Sequence, residues 1–166
     1  YETLKRSMKM PRPWKDSNFQ SNSSFEALAI DDKNRLYVVP ERSGALSKPF
    51  PVFRYEQGRW SSPFGIPRSD GFLPVGADFG PDGLFYLLER SFSGLRFKSR
   101  VRRFVVTETT LEEDAVLITP PAGSYGNLEG LSVWQDDNGS IRMTMVSDDN
   151  FRFFQSTQFV EFVVKE

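Results

Sequence analysis

The side chains in this 166-residue chain whose types and spacing could support chemistry are acidic: Glu26, Glu41, Glu89, Glu129, and the run Asp148, Asp149 and Asn150. Each borders a strand-like apolar run. A carboxylate beside a buried edge costs free energy unless a cation, a partner charge or a catalytic duty compensates for it. Several carboxylates converging on one place repel one another, which favours raised pKa values or a bound divalent cation. Calcium is the natural candidate, because its ligands are hard oxygens of Asp, Glu, Asn and backbone carbonyls. The expected roles are Glu26, Glu89 and Glu129 as catalytic carboxylates, with Glu41, Asp148, Asp149 and Asn150 as metal ligands. A metal ion in such a site could hold and polarise a phosphate while a carboxylate steers the attacking water. Arg42 and Arg90 each directly follow a Glu and are expected to contact an anionic substrate in bidentate fashion. The competing reading makes the same acids and arginines structural fasteners, since repetition is also what a scaffold requirement produces.

Composition narrows the chemistry further. The chain has no histidine, which removes Ser-His-Asp hydrolysis, histidine phosphoenzyme chemistry and any imidazole base. It has no cysteine, which removes disulfides, thiolate nucleophiles and cysteine metal sites. A formal net charge of -1 gives no broad attraction to phosphate backbones or anionic membranes, so a nucleic-acid partner is not expected. A hydrophobic fraction of 39% is enough to bury a core. No apolar run approaches the roughly 20 residues that span a bilayer, and a soluble chain without a signal peptide is expected.

The elements that must position these acids are strands. Apolar residues seldom recur at three and four; β-branched and aromatic residues come in short runs between Gly, Pro, Asn and Asp. Strands are expected at 35–39, 51–56, 84–89, 100–106, 114–119, 130–135, 141–147 and 157–164. Reversals are expected near 57, 82 and 138, the last ("DDNG", 136–139) being a plain hairpin turn without the spaced ligands of a calcium loop. Self-comparison then shows one plan three times: "FEALAIDDKNRLYVVPER", "PVGADFGPDGLFYLLER" and "LEGLSVWQDDNGSIRMTMVSDD" each hold a small-residue strand, a polar turn, an apolar strand and a terminal acid. The spacing of about 50 residues suits four-stranded propeller blades. Approximate blade repeats are expected at 22–73, 74–126 and 127–166, with 1–21 as the end of a preceding blade or a connection. On this count Glu41, Glu89 and Asp148 are equivalent. Phe151, Phe153, Phe154 and Phe159 are expected between blades, or in part on a partner surface.

The ordered motifs "NSSFEALA" (22–29), "LLERSF" (87–92) with "RVRRF" (100–104), and "NLEGLSVW" (127–134) with "SDDNF" (147–151) resemble the phytase-like family, described as the esterase-like activity of phytase. The resemblance covers most of residues 22–164 and corresponds to the family's C-terminal part. It implies an all-β β-propeller with acids clustered at one end: about three four-stranded blades of a larger, six-bladed ring. That ring would be partial here, or completed by missing N-terminal blades or by self-association with another chain. It also implies hydrolysis of phosphate or other small anionic esters in a bacterial exported protein, periplasmic or secreted. The alternative is a non-enzymatic propeller scaffold for ligand or protein binding. The middle repeat departs from the pattern, with "VGADF" where its neighbours carry Glu, leaving Asp78 as a substitute.

Overall fold

A computed structural model of the chain describes residues 9–11, 25–42, 45, 47–94, 96–150 and 156–165. These residues form eleven strands and no helix. Strands β1 (Phe25–Ile30), β2 (Leu36–Pro40), β3 (Phe50–Glu56) and β4 (Arg59–Ile66) make one antiparallel sheet in that order. Strands β5 (Leu73–Phe79), β6 (Phe85–Phe92), β7 (Phe97–Val106) and β8 (Leu111–Ile118) make a second. Strands β9 (Asn127–Gln135), β10 (Ile141–Asp148) and β11 (Phe159–Val163) make a third, which has three strands among the described residues rather than four.

Local chemistry sets the reversals. Gln57 and Gly58 both take positive φ, the two-residue turn whose twist suits a hairpin, and they join β3 to β4. At 136–139 the Gly139 amide donates to the Asp136 carbonyl at 2.9 Å, and the Asn138 amide donates to the Asp136 side chain at 2.9 Å. That stretch is the plain turn expected of it. Strand β4 was not apparent from pattern because Ser61, Ser62 and Pro63 interrupt it. Pro is tolerated there because β4 is an edge strand.

The sheets meet through their first strands: β1 lies against β5, and β5 against β9. Ala27, Ala29, Tyr37 and Val39 of the first sheet pack on Ala77, Phe85 and Leu87 of the second. On the second sheet's other side Val75, Tyr86 and Leu88 pack on Leu128, Met143 and Met145 of the third. Small residues allow this approach. A Cβ on Gly76 would lie 2.8 Å from the Glu129 carbonyl oxygen, so only glycine lets β5 and β9 come this close.

Each of these first strands carries a β-bulge at the same place. The register with the neighbouring strand skips Glu26 in β1, Val75 in β5 and Glu129 in β9. Aligned on the bulges, Glu41, Arg90 and Asp148 are equivalent, and Glu89 corresponds to Pro40 and Ser147. The equivalence of Glu41 with Glu89 read from the sequence is therefore displaced by one residue. In a strand that displacement moves a side chain to the opposite face.

Leu28 and Ile30, each 56% exposed, occupy the positions at which Ala77 and Phe79, and then Leu131 and Val133, pack against a preceding sheet. The described residues do not close a ring. Phe159 is 79% exposed and does not pack between sheets, because alternation along β11 directs Val160 and Phe162 inward instead. Phe151, Phe153 and Phe154 lie outside the described residues. Among those described, no helix is long and apolar enough to cross a membrane.

Candidate active site

The common plan puts the start of β1 and β9 and the ends of β2, β6 and β10 at one end of the three sheets. Arg90, two residues before the end of β6, reaches across that end. Its guanidinium donates to Glu41 Oε1 of the first sheet at 3.1 Å, and to Glu129 Oε1 of the third at 2.6 Å. It also donates to Asn127 Oδ1, while Asn127 Nδ2 donates to Glu129 Oε1 at 2.7 Å. One arginine thus ties residues that stand 49 and 39 positions away in sequence. A charge-assisted contact of this kind is among the stronger hydrogen bonds a protein makes.

Glu26 belongs to the same electrostatic group. Burial pushes its carboxyl above the ordinary value, the charges of Glu41 and Glu129 push it further the same way, and Arg90 opposes them. The bulge at Glu26 explains its placement: the extra residue re-aims the side chain at the strand's end, a use to which bulges are commonly put near functional sites. Glu129 occupies the equivalent bulge in β9. Its Oε1 is committed to Arg90 and Asn127, and no bond to Oε2 occurs among the described residues. Glu26, Glu41, Glu129 and Arg90 are therefore brought together at this end.

Beside them opens a pocket of about 290 Å³ lined by Glu41, Arg42 and Arg90 on its polar side and by Leu73, Phe92 and Phe97 on its apolar side, with Asn150 at its edge. The Arg42 side chain is 60% exposed, and its ionic contact is with Glu41 at 3.9 Å. Asp148 pairs with Asn127 across β10 and β9, which brings it to this end as well. Asp148 Oδ1 accepts the Asn150 amide at 3.1 Å, and Asn150 has φ of 51°, so the run turns sharply here. Asp149 is half-buried in the same turn. Among the described residues no three Asp or Glu side chains are placed to hold a metal ion together. Arg90 stands between Glu41 and Glu129 and takes an oxygen of each, the position a cation would need.

Glu89 is not part of this group. It faces the first sheet, is fully buried, and both its oxygens are taken: Arg100 Nε donates to Oε2 at 2.9 Å, Arg102 Nε to Oε2 at 2.8 Å, and Arg102 to Oε1 at 2.7 Å. Arg100 and Arg102 extend these bonds to the backbone carbonyls of Ser69 and Pro67, pinning the connection between the first two sheets. Burial works against the Arg102 charge, but the hydrogen bonds and charge of Glu89, then of Glu113, outweigh it and raise Arg102 above its ordinary value. A carboxylate fully buried, with both oxygens bonded to guanidinium groups, is closed to a substrate. Its partners lie in "RVRRF", with Glu89 and Arg100 directly paired across β6 and β7. Asp78 is likewise a fastener. It lies toward the opposite end of β5 from the Arg90 group, and its Oδ2 accepts the Val133 amide of the third sheet at 2.7 Å. Burial raises its carboxyl, against the opposing bonds from the Val133 and Phe79 amides.

Asn127, Phe92 and Phe97 are the site residues that sequence reasoning missed. Asn127 opens the quoted "NLEGLSVW", and only the sheet register reveals that it reaches Arg90. In comparison with protein families, residues 2–151 match the model described as phytase-like, esterase-like activity of phytase. No curated protein matches the chain.

Proposed function

Because the chain belongs to the phytase-like family of the esterase-like activity of phytase, we propose that the end bearing Glu26, Glu41, Arg90 and Glu129 is an ester-hydrolysing site. The observation that carries this reading is the meeting of one group from each sheet, Glu41, Arg90 and Glu129, beside an open pocket. In the proposed reaction a water oxygen attacks the phosphorus or carbonyl carbon of the ester. Glu129 Oε2 accepts the water's proton, and the bond to the alcohol oxygen breaks. Glu26, whose raised pKa keeps it protonated to higher pH than an ordinary carboxyl, gives its proton to the leaving oxygen. Arg42 holds the anionic portion of the ester, and Arg90 keeps Glu41 and Glu129 in place while offsetting developing negative charge.

Calcium would find hard oxygens in Asn150, which lines the pocket, and in Asp148 and Asp149, which precede it in the same turn. Exposed Leu28 and Ile30 support a ring completed by a further sheet or by a second copy. Action in the periplasm or medium follows the family resemblance and belongs to the same proposal.

A second reading is favoured by the burial of Glu89 and by the inter-sheet bond of Asp78: the repeated acids fasten a non-enzymatic scaffold. The two separate on turnover. Assays of phosphomonoesters, phosphodiesters and carboxylic esters, with calcium and with chelator, are expected to show hydrolysis that Glu26→Gln lowers at least 100-fold. Flat rates under every condition would leave the scaffold.

A further inference from the structure

We infer that the pocket beside Arg90 selects an ester that joins an aromatic ring to a single negative charge, and rejects polyanions; the inference rests on reading this pocket as the ester cleft. Two independent observations point there. The first is apolar. Phe92 and Phe97 are directly paired across the β6–β7 hairpin, their ring centroids are 4.9 Å apart, and Phe92 is 56% exposed on the pocket wall. A large ring kept exposed next to a polar cluster offers a stacking face rather than a core contact. Leu73 extends that wall, and the Phe97 ring is backed by the Arg90 guanidinium at 5.6 Å.

The second is charge. Glu41 is the acid among the described residues lining the pocket, and Glu129 stands behind it across Arg90, with Glu26 in the same electrostatic group. Arg90 is already committed to Glu41, Glu129 and Asn127, so it offers little to an incoming anion. Arg42, held only by a 3.9 Å contact, is the one open counter-charge among the described residues lining the pocket. A ligand with one negative charge is matched by Arg42. Each additional charge is placed among carboxylates and is repelled.

Three probes separate ring from charge: methyl phenyl phosphate has a ring and one charge, dimethyl phosphate has one charge and no ring, and inositol hexakisphosphate has many charges and no ring. Calorimetric titration of the full chain, in chelator and again in calcium, is expected to show methyl phenyl phosphate binding tightest under both conditions. Phe92→Ala is expected to weaken it about 5-fold while leaving dimethyl phosphate unchanged. Arg42→Gln is expected to weaken both singly charged probes. Both side chains are exposed, and the melting temperature of each variant confirms that it is folded. The inference is overturned if inositol hexakisphosphate binds as tightly as the aryl diester in either condition, if the ring makes no difference, or if no probe binds. Because binding is read rather than turnover, a protein that binds the aryl diester without hydrolysing it removes the hydrolase reading and leaves this inference standing.

Discussion

Replacing Glu89 by Gln distinguishes a fastener from a catalyst. The wild-type carboxylate is fully buried and receives three guanidinium bonds of 2.7 to 2.9 Å from Arg100 and Arg102, themselves almost wholly buried. Gln preserves the shape and one acceptor oxygen, but it leaves two buried cations facing a neutral amide with its own donors. Removing one partner of a buried ion pair costs about 3–5 kcal/mol. Retention of one oxygen places this substitution near the lower figure. For a chain of this size each kcal/mol moves the melting temperature by about 2–4 °C, so a fall of roughly 10 °C is expected. Thermal unfolding followed by circular dichroism at neutral pH measures it. At temperatures where the variant is fully folded, turnover should lie within a few-fold of the wild type. A variant with an unchanged melting temperature but no hydrolysis would refute the reasoning and return Glu89 to the catalytic set.

Further predictions concern the frame around the site. Asp31 is buried and bonds the Arg35 side chain at 2.6 Å, the Tyr37 hydroxyl at 3.1 Å and the Lys33 and Arg35 amides. Burial acts to raise its carboxyl, but the bonds from the Arg35 backbone and side chain prevail and hold it below the ordinary range. Asp31→Asn should therefore cost about 1–3 kcal/mol above pH ~4, and urea unfolding should show that difference vanish as pH falls through the lowered pKa of the folded state. Gly76→Ala would push a methyl group against the Glu129 carbonyl at 2.8 Å, parting β5 from β9. A loss of about 1–3 kcal/mol in unfolding free energy is expected, with weaker activity because Glu129 moves.

The hairpins and the threefold plan were legible because alternation and turn chemistry are local: "DDNG" and the Gln57-Gly58 turn read correctly without any knowledge of packing. The bulges were not. A bulge inserts one residue without a change in composition, and "LLER" beside "VPER" invites an alignment of Glu89 with Glu41 that the register places one residue off. That single residue separates a buried anchor from Arg90, the centre of the site. Glu26 and Glu129 were legible as a pair because both bulged strands keep the same neighbours, "FEALA" and "LEGLS". The commitment of Glu41 to Arg90 was not legible, since it depends on three sheets meeting. Calcium was inferred from the expected convergence of carboxylates with hard-oxygen ligands, and the guanidinium that stands between two of those acids could not be read from the sequence.

Acids from the first and third sheets face one another across Arg90, and the proposed chemistry depends on that arrangement. The most direct test is the carboxyl pKa of Glu26, followed by carbon-13 NMR in the wild type, in Glu129→Gln and in Arg90→Gln. The wild-type value should lie above the ordinary carboxylate range, fall when the Glu129 charge is removed, and rise when the Arg90 charge is removed. A Glu26 pKa that neither substitution moves would place these residues apart and contradict the account.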